Sequence, residues 1–192
     1  MLNVAAALAQ AKGLMNQSRY AEALVYLQQV TAAEPENVAA RVNEAICLQA
    51  ANRLAEAITA LDAALAAKPG HKTALRMRAS ILQAAGRYDE ALAAHDALLA
   101  VEPAAVPAHL NKATILMSRG KYTEALPCLQ QAVKLAPDTP VVLYNLGLTC
   151  TALDMKEPAA QALRDFLEFA GPDYRKQIEH AKGLLRTLGH AV

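Results

Sequence analysis

Four prolines, Pro35, Pro69, Pro103 and Pro137, stand a constant 34 residues apart, and a chain with that period folds as stacked copies of one small unit. Other positions keep the same step. Fifteen residues before each proline stands Tyr20, Leu54, Tyr88 or Tyr122, and a Glu-Ala pair follows two residues later: Glu22-Ala23, Glu56-Ala57, Glu90-Ala91 and Glu124-Ala125. Five units therefore tile the chain at 4–37, 38–71, 72–105, 106–139 and 140–173.

Positions within a unit are numbered below as columns 1 to 34, column 1 being Val4, Val38, Lys72, Val106 or Pro140. Column 8 is always small, as Ala11, Ala45, Ala79, Ala113 and Gly147, and column 20 is Ala in every unit. Column 11 holds Leu14, Leu48, Leu82, Leu116 and Cys150, while columns 24 and 27 are mostly Leu, Val, Ala or Phe. Columns 4, 8 and 11 share one helical face, and so do columns 20, 24 and 27. Each unit is thus two short amphipathic helices, A and B, whose small residues let the backbones approach until larger neighbours interdigitate. The punctuation agrees. Column 15 carries the turn formers Ser18, Asn52, Gly86, Gly120 and Asp154, suited to the stop of helix A, and the column-32 proline ends helix B. Composition points the same way: only 4% of residues are aromatic and none is Trp, so the core is filled by Ala and Leu, which favours close-packed helices over sheets.

This pattern of small residues at columns 8 and 20, an aromatic near 17 and Pro at 32 resembles the tetratricopeptide repeat. The resemblance covers residues 4–173. Column 4 departs from the family's preferred Trp, holding Ala7, Arg41, Leu75, His109 and Leu143, and the fifth unit has Lys156, Pro158 and Gly171 in consensus columns. The last segment, 174–188, falls in register with a sixth helix A, placing Ala181 at column 8 and Leu184 at column 11. Its other side carries Arg175, Lys176, Glu179, Lys182 and Arg186, as a terminal cap requires. The resemblance implies an all-α, right-handed α-solenoid of helix-turn-helix units with a C-terminal capping helix, about eleven helices in a single domain over 1–192. A chain ending in a polar cap is not expected to be followed by much more.

Several function classes find no footing. Lysine and arginine total 19 against 18 acids, so no broad electrostatic footprint for nucleic acid or an anionic membrane exists. No apolar run is long enough to cross a bilayer and the N-terminus lacks the plan of a secretory signal, so the expected compartment is the cytoplasm, with no membrane insertion. Cys47, Cys128 and Cys150 are odd in number and unrelated in spacing, which gives neither a disulfide framework nor a metal knuckle. Ser18, Ser80 and Ser118 sit in no nucleophile elbow, the glycines form no phosphate loop, and no zinc motif occurs. His95 and His109 are expected side by side, but two imidazoles with no Cys or carboxylate in register make a poor metal site. No enzyme activity, cofactor or metal is expected.

The resemblance also implies that helices A line a concave groove through columns 2, 5, 6, 9, 12 and 13. Of those thirty positions only Lys12 and Arg76 are charged, where about six would follow from the 19% overall, and such depletion marks a binding surface. The candidate lining comprises Lys12, Met15, Val42, Asn43, Ile46, Arg76, Met77, Ser80, Leu110, Asn111, Met117, Tyr144, Asn145 and Leu148. Methionines suit a surface that adapts to varied apolar side chains. Asn43, Asn111 and Asn145 fall at column 6, where an amide can both donate to and accept from a peptide group, and by resemblance an Asn there clamps an extended ligand. Val141 and Asn145 stand where the family's chaperone-tail receptors carry Lys and Arg, which argues against capture of a terminal carboxylate. The expected function is a scaffold binding an apolar or amphipathic peptide segment, with Lys12 and Arg76 biasing it toward neutral or acidic character. The alternative is self-association through an uncapped N-terminal edge around Leu2, Val4 and Leu8.

Overall fold

The two helices of every unit occupy the same columns, which a computed structural model describing residues 3–190 makes explicit. Helix A runs over columns 1 to 13 as α1 (Val4–Asn16), α3 (Val38–Ala50), α5 (Lys72–Ala84), α7 (Val106–Ser118) and α9 (Pro140–Ala152). Helix B runs over columns 17 to 30 as α2 (Tyr20–Ala33), α4 (Leu54–Ala67), α6 (Tyr88–Val101), α8 (Tyr122–Leu135) and α10 (Lys156–Phe169). A 3-10 turn (Pro172–Tyr174) and α11 (Arg175–Thr187) follow, and no strand occurs among the described residues. The fold is an all-α repeat.

The identical bounds have a local cause. At column 15, Ser18, Asn52 and Asp154 adopt φ of 59°, 58° and 54°, and Gly86 and Gly120 take 72° and 71°. That left-handed residue turns the chain so that the column-16 N–H donates to the column-11 carbonyl, at 2.9 Å from Arg19 to Leu14 and again in each later unit through Met155 to Cys150. The column-15 N–H closes the inner bond to column 12, completing a Schellman stop. At the other end of helix B, Glu34, Lys68, Glu102 and Ala136 are extended, with φ between −130° and −147°, because the following proline excludes helical geometry. Pro158 lies in the first turn of α10, where its missing N–H would have had no helical partner, so the fifth unit keeps its shape.

The helices gather into two compact units, Met1–Pro103 and Ala104–Val192. In the first, each helix packs on its chain neighbour from α1 through α6, and α3 also meets α5. Its core is the small and large columns together: Ala11, Ala45 and Ala79 with Leu14, Leu48 and Leu82 on helices A, and Ala23, Ala57 and Ala91 with Leu27, Leu61 and Leu98 on helices B. His95 takes column 24 of α6 and is buried with them.

In the second unit α7 packs on α8 and α9, α9 on α8 and α10, and α11 on α10. Leu143, Ala160, Leu163, Phe166, Ala181 and Leu185 form one buried cluster, with Tyr144, Tyr174, Ile178 and Leu184 against it. The capping helix departs from the expected burial at Leu184. The 3-10 turn opened by Pro172 delays α11 to Arg175, and the fully covered positions are Ala181 and Leu185, leaving Leu184 half-buried.

One buried polar group stands out in this core. The Thr149 side chain is wholly buried at column 10 of α9, and its hydroxyl has no hydrogen-bond partner. The same column holds buried Cys47, Ile81 and Ile115, so the environment is apolar in every other covered repeat. An unsatisfied hydroxyl costs about 1–3 kcal/mol, and Val keeps the shape without it. Thr149→Val is therefore expected to stabilise the protein by about 1 kcal/mol, read from the urea midpoint at unchanged slope. A lower midpoint would show that the hydroxyl is satisfied in solution.

Candidate ligand-binding faces

In the first unit the helix-A face is carried by α1, α3 and α5. Met15, Asn43, Ile46 and Met77 are half-buried there, and Lys12, Arg76 and Ser80 are exposed. Val42 departs from the expected lining: at 7% exposure it is closed into the core and has almost no surface to offer a ligand. Its column-5 counterpart Arg76 points outward, and its charge is not free. Arg76 Nη2 lies 2.9 Å from Glu102 Oε2, and Lys72 Nζ lies 4.0 Å from Glu102 Oε1. The bias toward acidic ligands expected of Arg76 is thus offset by a carboxylate of the same unit.

In the second unit the face is carried by α7 and α9. Leu110, Asn111, Met117, Tyr144, Asn145 and Leu148 are all half-buried. Tyr144 is held from behind: its Oη shares a 2.7 Å hydrogen bond with His180 Nδ1 of α11, and its ring lies 5.0 Å from that of Phe166. Desolvation pushes the phenol pKa up, so at neutral pH it stays protonated. The column-6 amides of Asn43, Asn111 and Asn145 make no side-chain hydrogen bond among the described residues. Half-buried donors and acceptors in that state are ready for a ligand's backbone.

The N-terminal edge has a different composition from the one expected. Columns 3 and 10 are buried in every later repeat, as Ala40, Ala74, Ala108 and Val142, and as Cys47, Ile81, Ile115 and Thr149. In α1 the same columns are Ala6 and Gly13, both exposed, with exposed Gln10 between them. A shallow depression of about 380 Å³ there is lined by Asn3, Ala6, Ala7, Gln10, Tyr26 and Gln29. Val4 and Leu8 are half-buried, and Leu2 lies outside the described residues.

The cysteines, serines and histidines singled out in the sequence lie apart from one another in their chemistry. Burial, with a smaller contribution from Glu44, pushes the Cys47 thiol up to about 11, and burial likewise raises Cys150, so neither is a thiolate at neutral pH. Ser118 Oγ donates to the Ile115 carbonyl at 2.8 Å, a helix-internal bond rather than a link to a base. His95 is buried and His109 half-buried, each in its own unit. Among the described residues no three His, Cys, Asp or Glu side chains are placed to hold a metal ion. Among the described residues no helix is long and apolar enough to cross a membrane.

Comparison with known proteins places this geometry. Tetratricopeptide-repeat profiles match residues 14–81, 76–140 and 110–174. No protein of curated function matches the chain in sequence. Among solved structures, MamA 41-end from Desulfovibrio magneticus RS-1 is 21% identical with a TM-score of 0.77, over 86% of this chain and 94% of that one. YrrB, described as a TPR protein with an unusual peptide-binding site, is 18% identical with a TM-score of 0.79, over 92% and 90%. A tetratricopeptide repeat protein from Parabacteroides merdae is 16% identical with a TM-score of 0.82, over 97% and 73%. At these identities the likeness is one of fold, whereas the repeat profiles span most of the sequence. The chain belongs to the tetratricopeptide-repeat family, whose fold is that of a protein-protein interaction scaffold.

Proposed function

We propose that this protein is a non-enzymatic scaffold that binds an apolar or amphipathic peptide segment of a protein partner on its helix-A faces. The observation that carries the reading is the set of half-buried column-6 amides, Asn43, Asn111 and Asn145, without side-chain hydrogen bonds among the described residues, on helices whose lining columns also carry Met, Leu and Ile. Apolar burial supplies affinity, and the amides fix the ligand's register. That YrrB, of similar fold, is described as having an unusual peptide-binding site supports the peptide-binding part of this reading. The setting proposed is the cytoplasm, since Cys47, Cys128 and Cys150 are odd in number and unrelated in spacing, which suits a reducing compartment. Self-association through the N-terminal edge is the weaker reading, because the exposed columns there are Ala6, Gln10 and Gly13 rather than large apolar residues.

Selection from a displayed library of random fifteen-residue peptides tests the proposal. Binders should be enriched in Leu, Ile, Val and Phe, and Asn111→Ala should weaken the best of them about tenfold, the loss of one or two peptide-directed hydrogen bonds. Enrichment of nothing over background, or binders indifferent to both Asn111→Ala and Met77→Glu, would remove the helix-A faces as the site. Light scattering over a concentration series decides the weaker reading, for which a constant monomer mass is fatal.

A further inference from the structure

Column 5 holds Leu8, Val42, Leu110 and Tyr144 in four repeats, and Arg76 in the third is the one charged residue of the series. Its partner Glu102 is placed by the backbone. The residue follows α6 in extended geometry, φ −140° and ψ 72°, with its N–H bonded to the Leu98 carbonyl at 2.8 Å, and Pro103 enforces that shape. The pairing is particular to this repeat: the equivalent Glu34 accepts from Asn37 Nδ2 at 2.8 Å, and the other equivalents are Lys68, Ala136 and Ala170. Exposure orders the three charges. The Lys72 and Arg76 side chains are 57% and 56% exposed and Glu102 28%, so one carboxylate sits beneath two outward cations.

We propose that Glu102 limits how strongly the first unit's helix-A face attracts acidic segments, by partly neutralising Arg76 and Lys72. The inference rests on the peptide-binding reading above. An acidic ligand side chain reaching Arg76 meets a guanidinium already bonded to a carboxylate, and it approaches that carboxylate's negative charge at short range. An uncharged segment lies over Met77 and Ile46 without that penalty. Removing the Glu102 charge leaves two unpaired cations facing the ligand and strengthens the hold on acidic segments.

The test uses two fluorescein-labelled twelve-residue peptides, one of repeated Leu-Ser-Gln triplets and one of Leu-Ser-Glu triplets. Anisotropy titrations are run on the full chain and on Glu102→Gln, an isosteric change at a partly exposed site, whose fold is verified by circular dichroism. Glu102→Gln is expected to tighten the Glu peptide by about five- to tenfold while moving the Gln peptide less than about twofold. The gain should shrink as salt is raised from about 0.05 to 0.5 M, and vanish when Arg76→Gln and Lys72→Gln are added to Glu102→Gln. Equal gains for both peptides, or no gain for either, overturns the inference about Glu102 while the peptide-binding reading stands. Failure of both proteins to bind either peptide counts against that reading and takes this inference with it.

Discussion

Phe166→Ala should cost about 3–5 kcal/mol, among the largest losses a single substitution in this chain can produce. The side chain is fully buried at the centre of the second unit's cluster, with the Tyr144 ring at 5.0 Å and the Tyr174 ring at 5.9 Å edge-on. Truncation leaves a cavity that aromatic neighbours fixed on two other elements fill poorly. The loss should be local before it is global. The capping helix α11 makes its packing contacts through this cluster, so its amides should lose hydrogen-exchange protection in Phe166→Ala while those of α1 through α5 in the other unit keep theirs. Unchanged protection in α11 would show that the cap is held by other contacts, the Tyr144–His180 bond foremost.

A second large effect runs against the repeat's own consensus. Ala occupies column 8 in four repeats and is about 1 kcal/mol better than Gly in a helix, so Gly147→Ala reads as a stabilising change. The packing says otherwise. A Cβ at Gly147 would lie 2.7 Å from both Cγ and Cδ2 of Leu163, and Leu163 is fully buried with no open side to turn toward. Because Cγ itself must shift, a terminal rotation does not relieve the clash, and Gly147→Ala should destabilise by about 1–3 kcal/mol net of the helix gain. The double-mutant cycle with Leu163→Ala isolates the cause: in that background Gly147→Ala should be neutral or stabilising. A Gly147→Ala protein with the same or a higher urea midpoint than the wild type would refute the account.

The same pair shows how far the sequence could be read. Period, helix bounds, stops and buried small columns all follow from residue type at fixed spacing, because a Schellman turn needs only a tolerant residue at column 15 and a proline acts on its immediate neighbour. In that sense the fold was legible nearly residue by residue. What escaped depends on which rotamer or partner a side chain finds across helices. Leu163 settles over Gly147, and no column rule marks that contact, because Leu27, Leu61 and Leu129 stand in the same column. Val42 shares a column with Arg76, yet one is buried and the other exposed. The Arg76–Glu102 pair joins residues 26 apart whose meeting depends on α5 lying beside α6. In α11 Ala181 is buried at column 8 as its spacing implies, whereas Leu185 and not Leu184 is the fully covered leucine, which depends on how α11 lies on α10. For the candidate faces, the amide column was visible in advance, whereas the cancelled charge beside it was not.

The invariance of the column-15 turn bears on how such a chain can change over generations. Every helix A ends at the same column on the same pair of hydrogen bonds, whether Ser18, Asn52, Gly86, Gly120 or Asp154 supplies the left-handed residue. Unequal recombination that adds or removes one whole period leaves every following residue in its old column, with its turn, core neighbours and face intact. A gain or loss of any other length breaks the spacing within the unit where it falls. Point substitution can rewrite the helix-A face one side chain at a time, but the number of repeats can alter only in whole steps. Recognition chemistry and molecular length are in this way inherited on separate tracks.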